Sequence, residues 1–489
     1  MTEGLDGAAR NHLEDTGIAA LGSMLADGLL SSEELCRTLL HRARRLDPQL
    51  NAFISLAPAA ILSQARAADE ELRSGTRRGP LHGVPIAVKD NIAVRGEVTT
   101  AGSKVLATNR PAEDAVVVER LRAAGAIIFG KTNLPELAYG PLETYPFGST
   151  KNPWDRGRYA GGSSVGSGAA LAAHLVPGAL GTDTTGSIRN PAAWCGVVGL
   201  KPTYGSVPLA GVWPLARSLD HVGPMARSAR DCALLLDVIA DPPPAVGPTA
   251  RSGGVPPSYT AALEQPVRDL RVGILRGTPW EHCDADVAGV LEDAFTLLGD
   301  LGMELIEVEL PSWEAAAAAV SVILTCEASV EYAPMLVDRA ADLTPQVRER
   351  LEAGLLLRMA DYAAAREATT RLASELKEAF SAIDVLALPT RAQTPPRVHP
   401  SGRLLDPLGS PFHVSPFNAV GLPALTIPCG FDSQGIPVGL QLAGPHWSDG
   451  TLLAVADTYQ KHTDWHTRAP NIVAADPVSA NRRCDGIEA

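Results

Sequence analysis

Aromatic residues supply only 5% of these 489 residues, and the chain has no block of like charge, no low-complexity tract and no repeat of fixed period. Each lack removes a class of protein. Charged residues total 20%, the net charge of -13 is spread thinly, and basic residues crowd only at HRARR, 41–45, so no footprint for nucleic acid exists. The longest apolar run, Ala315 to Leu324 between Glu314 and Glu327, reads as a buried helix too short to span a bilayer. The seven cysteines (36, 195, 232, 283, 326, 429 and 484) are odd in number and scattered, without a CxxC pair or a histidine at metal spacing. They read as reduced, buried small hydrophobes of a cytoplasmic protein, and no metal is expected. The N-terminal MTEGLDGAARNHLEDTG lacks a basic stretch followed by an apolar core, so no secretion signal is expected. With 45% apolar residues and this length, the chain can bury a large core and suits small-molecule chemistry.

From Ile18 to Leu50 apolar positions repeat at three- and four-residue spacing, with SSEEL as a capping signal, and residues 15–65 are expected to form a helical N-terminal segment. LHGVPIAVKDNIAV (81–94) breaks into short β-branched runs, and DAVVVERLRAAGAIIFGKTN (114–133) reads as helix, glycine stop and buried strand. Such alternation, continued through CGVVGLKPTYG, predicts an α/β fold whose helices cover a largely parallel or mixed sheet. Proline and glycine at 240–256 mark a surface linker, and 313–380 reads as a helical cap.

Two motif matches fail on context. Gly125 to Thr132 fits GxxxxGK[ST], but AIIF within it is itself the buried strand, so little remains to cradle a phosphate. No cofactor is expected. Gly162 to Gly166 fits the GxSxG elbow of an α/β-hydrolase esterase, with Ser164 as nucleophile and His399, His413 and His446 downstream, but RGRYA before it is a poor strand. That reading stays as a minor alternative.

The stretch GGSSVGSG (161–168) places serines in a glycine-rich turn with no histidine, cysteine or acid among them. A serine hydroxyl needs a base within reach. Lys89 ends the strand-like GVPIAVK, and a lysine serves as a base when burial keeps it neutral. Twenty-four residues after Ser163 a second turn, GTDTTGSIRNP, brings Ser187 and a run of backbone amides suited to an oxyanion. A proton relay from Ser187 through Ser163 to Lys89 would need no histidine.

PLHGVPIAVKDNI, AGGSSVGSGAALAA and GTDTTGSIRNPAAWCGVVGLKPTYG together resemble the amidase signature family of Ser-cisSer-Lys hydrolases, over roughly residues 15–470. The resemblance implies one large α/β/α domain around a twisted mixed sheet, spanning 1–489, with the 15–65 and 313–380 segments packed on it. It implies Ser187 as nucleophile, Ser163 as bridging serine after a cis bond from Gly162, and Lys89 as base and later proton source. The amides of Thr184, Thr185, Gly186 and Ser187 would form the oxyanion hole, with Ser164, Asp183 and Arg189 in support. Val165 and Thr185 stand where the family has glycine; positive φ at either would strain a β-branched residue.

The implied reaction is hydrolysis of a C–N acyl bond through an acyl-serine. Carboxamides are the first expected substrates, with carbamates (urethanes), ureas and esters presenting the same carbonyl. Apolar cap residues such as SVILTCEASVEYAPML favour a free-standing amidase or urethanase of apolar or aromatic substrates. The alternatives are the glutaminase component of a tRNA-dependent amidotransferase (its A chain), which would need further protein partners, and an inactive binding homologue. The expected partner is a small-molecule amide or carbamate, with no nucleic acid and no membrane, and a homodimer is compatible with the sequence. Activity should fall as pH drops through the depressed pKa of Lys89.

Overall fold

The computed structural model describes residues 13–140, 145–241, 258–281, 283–399, 404–406 and 413–474. Eleven strands among them make one mixed sheet: β1 (Phe53–Ser55), β2 (Pro85–Lys89), β3 (Ile127–Thr132), β4 (Gly178–Asp183), β5 (Val198–Lys201), β6 (His221–Ala226), β7 (Arg271–Leu275), β8 (Glu304–Val308), β9 (Val385–Pro389), β10 (Ala424–Phe431) and β11 (Pro437–Ala443). Their order is β1-β3-β2-β4-β6-β5-β10-β11-β9-β7-β8. Parallel pairing joins β2 to β3 and β4, and β7 to β8 and β9. Between these blocks every neighbour is antiparallel. The expected mixed α/β sheet is present, and β2, β3 and β4 are buried along their whole length, apolar at their starts and carrying Lys89, Lys131, Thr132, Thr182 and Asp183 at their buried C-terminal ends.

The N-terminal segment is helical with two interruptions, a turn at 27–31 and the stretch 51–57 that holds β1. Ser31 caps the helix Ser32–Leu50 by accepting the Glu34 amide at 3.0 Å, and Leu35, Leu39, Leu46 and Leu50 form its buried stripe. Asn51 turns left-handed (φ 54°) and ends the helix, after which Phe53–Ser55 adds β1 to the sheet edge beside β3. This three-residue strand lies inside the 15–65 segment expected to be helical. AIIF is strand, as the refusal of the phosphate loop required: Ile127 opens β3. The linker expected at 240–256 lies, from residue 242 onward, outside the described residues, as does Cys484.

The cap consists of helices Trp313–Glu331, Ala333–Asp338, Pro345–Gly354 and Met359–Ala382. The first is longer than its apolar run. At 19 residues it is long and apolar enough to cross a membrane by length and composition alone, yet Val320, Ile323, Leu324 and Ala328 pack with Val347, Leu351, Ala365 and Ala368 of the other cap helices. The same cluster takes in Leu215 and Leu219, which ties the cap to the loop before β6.

Candidate active site

β2 and β4 run parallel side by side, so their C-terminal ends bring Lys89 next to Thr182 and Asp183. The ends of parallel strands are where open α/β sheets place their ligands. Lys89 is fully buried. Its Nζ lies 2.7 Å from Ser163 Oγ, 2.7 Å from Thr182 Oγ1 and 3.4 Å from the Thr182 carbonyl. The Asn91 amide donates to the same Thr182 hydroxyl at 3.1 Å. No carboxylate pairs with Lys89 among the described residues. Burial therefore wins over the more distant Asp183 and Asp220 charges, and the Lys89 pKa falls to about 7.

Ser163 follows Gly162 through a cis peptide bond. The helix Val165–Ala172 begins two residues later, and the Ser164 amide donates to the Ser187 carbonyl at 3.0 Å, which joins the two serine turns. Ser187 is 9% exposed and Ser163 4%, so Ser187 is the more open of the two.

The Asp183 carboxylate shapes the second turn. It accepts the amides of Gly186 (2.6 Å) and Ile188 (3.1 Å), Arg189 Nε and Nη2 (both 3.0 Å) and Asn418 Nδ2 (2.8 Å). Arg189 continues to the Val414 carbonyl, Gln441 and Asn418. Burial alone would raise the Asp183 pKa, but the Arg189 guanidinium outweighs it, with help from Asn418 and Lys201, and holds the carboxyl well below its usual range. The support expected of Asp183 and Arg189 is thus a fully buried, fully bonded ion pair. Gly186 sits at φ 110°, and a Cβ there would lie 2.4 Å from Val414 Cγ2, so this turn needs glycine.

One member of the expected oxyanion set is already engaged. The Gly186 amide belongs to Asp183, which leaves those of Thr184, Thr185 and Ser187 as candidates. Neither Val165 nor Thr185 is left-handed; Gly161 and Gly186 take the positive φ values, so the feared strain is absent. Ser164 is fully buried, donating to the Thr182 carbonyl at 3.0 Å and accepting its amide at 3.2 Å. No strand runs directly into it among the described residues, and His413 instead contacts the Pro279 carbonyl, so among those residues the esterase elbow lacks both its strand and a histidine bonded to its serine. Thr182, Asn91, Asn418 and Asp220 were not singled out from sequence. Thr182 sits inside the quoted GTDTTGS, but its part depends on β2 lying beside β4, which no local pattern reveals.

A mixed sheet with a buried lysine at the end of β2, one serine turn directly after β4 and another that opens the helix Val165–Ala172 defines a class of protein. A model of the family described as "Amidase" matches residues 34–453. The chain belongs to this family of amide hydrolases, as its amidase signature motifs implied. Among curated relatives, the A component of the Glutamyl-tRNA(Gln) amidotransferase of Chloroflexus aggregans is 41% identical over 94% of this chain and 98% of its own length. That of Gloeobacter violaceus is 39% identical over 94% and 99%. Among solved structures, the native peptide amidase of Stenotrophomonas maltophilia superposes with TM-score 0.82 at 36% identity, covering 94% of this chain and 98% of that one. The 6-aminohexanoate cyclic dimer hydrolase gives TM-score 0.82 at 29% identity over 94% and 99%.

Proposed function

We propose that this chain cleaves the C–N bond of a carboxamide by acyl transfer through Ser187. Neutral Lys89 directs N–H groups at Thr182, and its lone pair accepts the Ser163 proton as Ser163 takes the proton of Ser187. Ser187 Oγ then attacks the carbonyl carbon, and the oxyanion is held by the amides of Thr184, Thr185 and Ser187. Collapse breaks the C–N bond, and the amine leaves with the proton returned from Lys89 through Ser163. Water, deprotonated by the same relay, releases the acid and restores Ser187. The observation that carries this reading is the buried Lys89 amine, bonded to Ser163 and to no carboxylate.

The substrate follows from the relatives more than from the geometry. The amidotransferase relatives favour ammonia release from glutamine, ahead of the free-standing hydrolase that the apolar cap sequence suggested. The second reading keeps its own support, because the peptide amidase and the cyclic dimer hydrolase have the same fold over nearly the whole chain. Purified protein should be assayed for ammonia release from glutamine and for hydrolysis of a nitroanilide and a nitrophenyl carbamate, beside Ser187→Ala. Loss of about a thousandfold or more in the variant is expected. Activity retained by Ser187→Ala but lost in Ser164→Ala would overturn the assignment.

A further inference from the structure

The loop from Trp213 to Asp220 touches three parts of the molecule at once. At its C-terminal end Asp220, 9% exposed, accepts the Thr184 hydroxyl at 2.6 Å on Oδ1 and the amides of Leu215 (2.8 Å) and Ala216 (3.1 Å) on Oδ2. Thr184 is the first residue of the turn that carries Ser187. At its N-terminal end the Trp213 amide donates at 2.7 Å to the carbonyl of Asn91, two residues from Lys89. Its middle is held by the cap. Ser218 donates both its amide (3.0 Å) and its hydroxyl (2.5 Å) to Glu327, the Tyr362 hydroxyl donates to Glu327 at 2.9 Å, and the Tyr332 hydroxyl donates to the Pro214 carbonyl.

Asp220 has no cationic partner within ion-pair distance among the described residues, which makes it an expensive way to hold a loop. An asparagine could accept the two loop amides as well. The carboxylate adds a tie to Thr184 and a negative charge near Lys89.

We propose that Asp220 is a positioning residue for acyl transfer: it fastens the Thr184 end of the serine turn to the loop Trp213–Asp220, which Glu327 fixes, so that the seating of the cap sets the aim of the amides beside Ser187. This rests on the reading of Ser187 as nucleophile. The charged and titratable groups facing Asp220 are Lys89, Arg217, Glu327 and Tyr332. Burial pushes the Asp220 carboxyl up to about 6, so it is ionised where Lys89 titrates.

The test is steady-state kinetics of Thr184→Val, Thr184→Ser, Asp220→Asn and Glu327→Gln on whichever amide the parent hydrolyses, with melting temperatures and Ser187→Ala alongside. Thr184→Val should lower kcat about ten- to a hundredfold, the size of effect that a small misplacement of reacting groups produces, with KM within about threefold. Thr184→Ser should restore kcat. Asp220→Asn should lower kcat and move the acid limb of kcat/KM to lower pH, because Lys89 loses a neighbouring negative charge. Glu327→Gln should lower kcat less, and non-additively with Thr184→Val, as expected of one connected network. Parental kcat in Thr184→Val, equal losses in its Val and Ser forms, or an unmoved acid limb in a folded Asp220→Asn would overturn the proposal. If Asp220→Asn does not fold, the two Thr184 variants decide. An active Ser187→Ala would refute the nucleophile itself, a different failure from normal behaviour of the Thr184 variants beside an inactive Ser187→Ala.

Discussion

Lys89, Lys131 and Lys201 are all fully buried, yet they differ in what faces the amine. Lys131 pairs with Asp90 at 2.8 Å and accordingly keeps a counter-charge. Lys201 meets His221 and the Pro202 carbonyl, each at 3.2 Å. Lys89 alone of the three meets a serine. Asp90 is its neighbour in sequence but serves Lys131, because successive residues of an extended strand face opposite sides. The motif therefore pointed to Lys89, while its lack of a counter-charge became visible only in three dimensions. Two consequences follow from the pKa of about 7. The acid limb of kcat/KM should titrate near that value, and a profile with its maximum near pH 5 would refute the neutral-amine base. For stability, the folded pKa lies below the ordinary lysine value of 10.5. Between about 7 and 10.5 the unfolded chain keeps a proton that the folded chain has lost, so stability rises with pH across that window and is lowest below 7. Lys89→Met removes the burden. The shift corresponds to on the order of 5 kcal/mol, less about 2 for the bonds to Ser163 and Thr182 that methionine cannot make. Denaturant unfolding should find the variant more stable than the parent at pH 6.5, by roughly 3 kcal/mol, with the gap closing towards pH 10.

Among elements, the helix Val165–Ala172 shows why the serine turn is rich in glycine. A Cβ on Gly166 would lie 2.3 Å from both the Ala52 carbonyl oxygen and the Asn133 amide nitrogen, backbone atoms hydrogen-bonded to each other at 2.8 Å. The helix can approach β3 and the chain before β1 this closely only with hydrogen at that position. Gly289, in the helix Ala285–Asp300, has nothing within 4 Å of the corresponding point. The two substitutions should therefore differ in sign. Gly166→Ala is expected to cost about 2–3 kcal/mol by overpacking, whereas Gly289→Ala should stabilise by roughly 0.5–1 kcal/mol through helix propensity and a less flexible unfolded chain. Thermal melts of both variants check this, and a Gly166→Ala protein as stable as the parent would contradict the packing described. In sequence both glycines look alike. The helix starts at Val165, inside the stretch read as a glycine-rich turn, whereas the strand in AIIF was legible because its short apolar run is local. The three-residue β1 was not, since a strand that short is specified by its pairing with β3 rather than by its own pattern.

For the whole molecule, strand content could be read along the chain but the order of the strands could not. β10 and β11, from the last quarter, enter between β5 and β9 and complete the middle of the sheet. The same stretch supplies Val414, Asn418 and Gln441 to Arg189, across 225–252 residues of sequence. A site assembled across such separations cannot be recovered from spacing, although the motifs contained Lys89, Ser163 and Ser187, the side chains to which the proposed acyl transfer gives its steps. Every group in the proposed acyl transfer nevertheless belongs to this one chain. The amidotransferase relatives raise the question of partners, and the geometry bears on it: Lys89 is bonded to Ser163, the Ser187 carbonyl to the Ser164 amide, and Thr184 to Asp220, all within this chain. The isolated chain should therefore be labelled at Ser187 by a serine-directed fluorophosphonate, read by mass spectrometry of the modified peptide, at a rate that falls below about pH 7 as Lys89 becomes protonated. Protection by glutamine would favour the amidotransferase reading, whereas protection by apolar amides alone would favour the free-standing hydrolase. Labelling that required a second protein would mean that the serine turn, as folded in this chain, still lacks a contact needed to make Ser187 reactive.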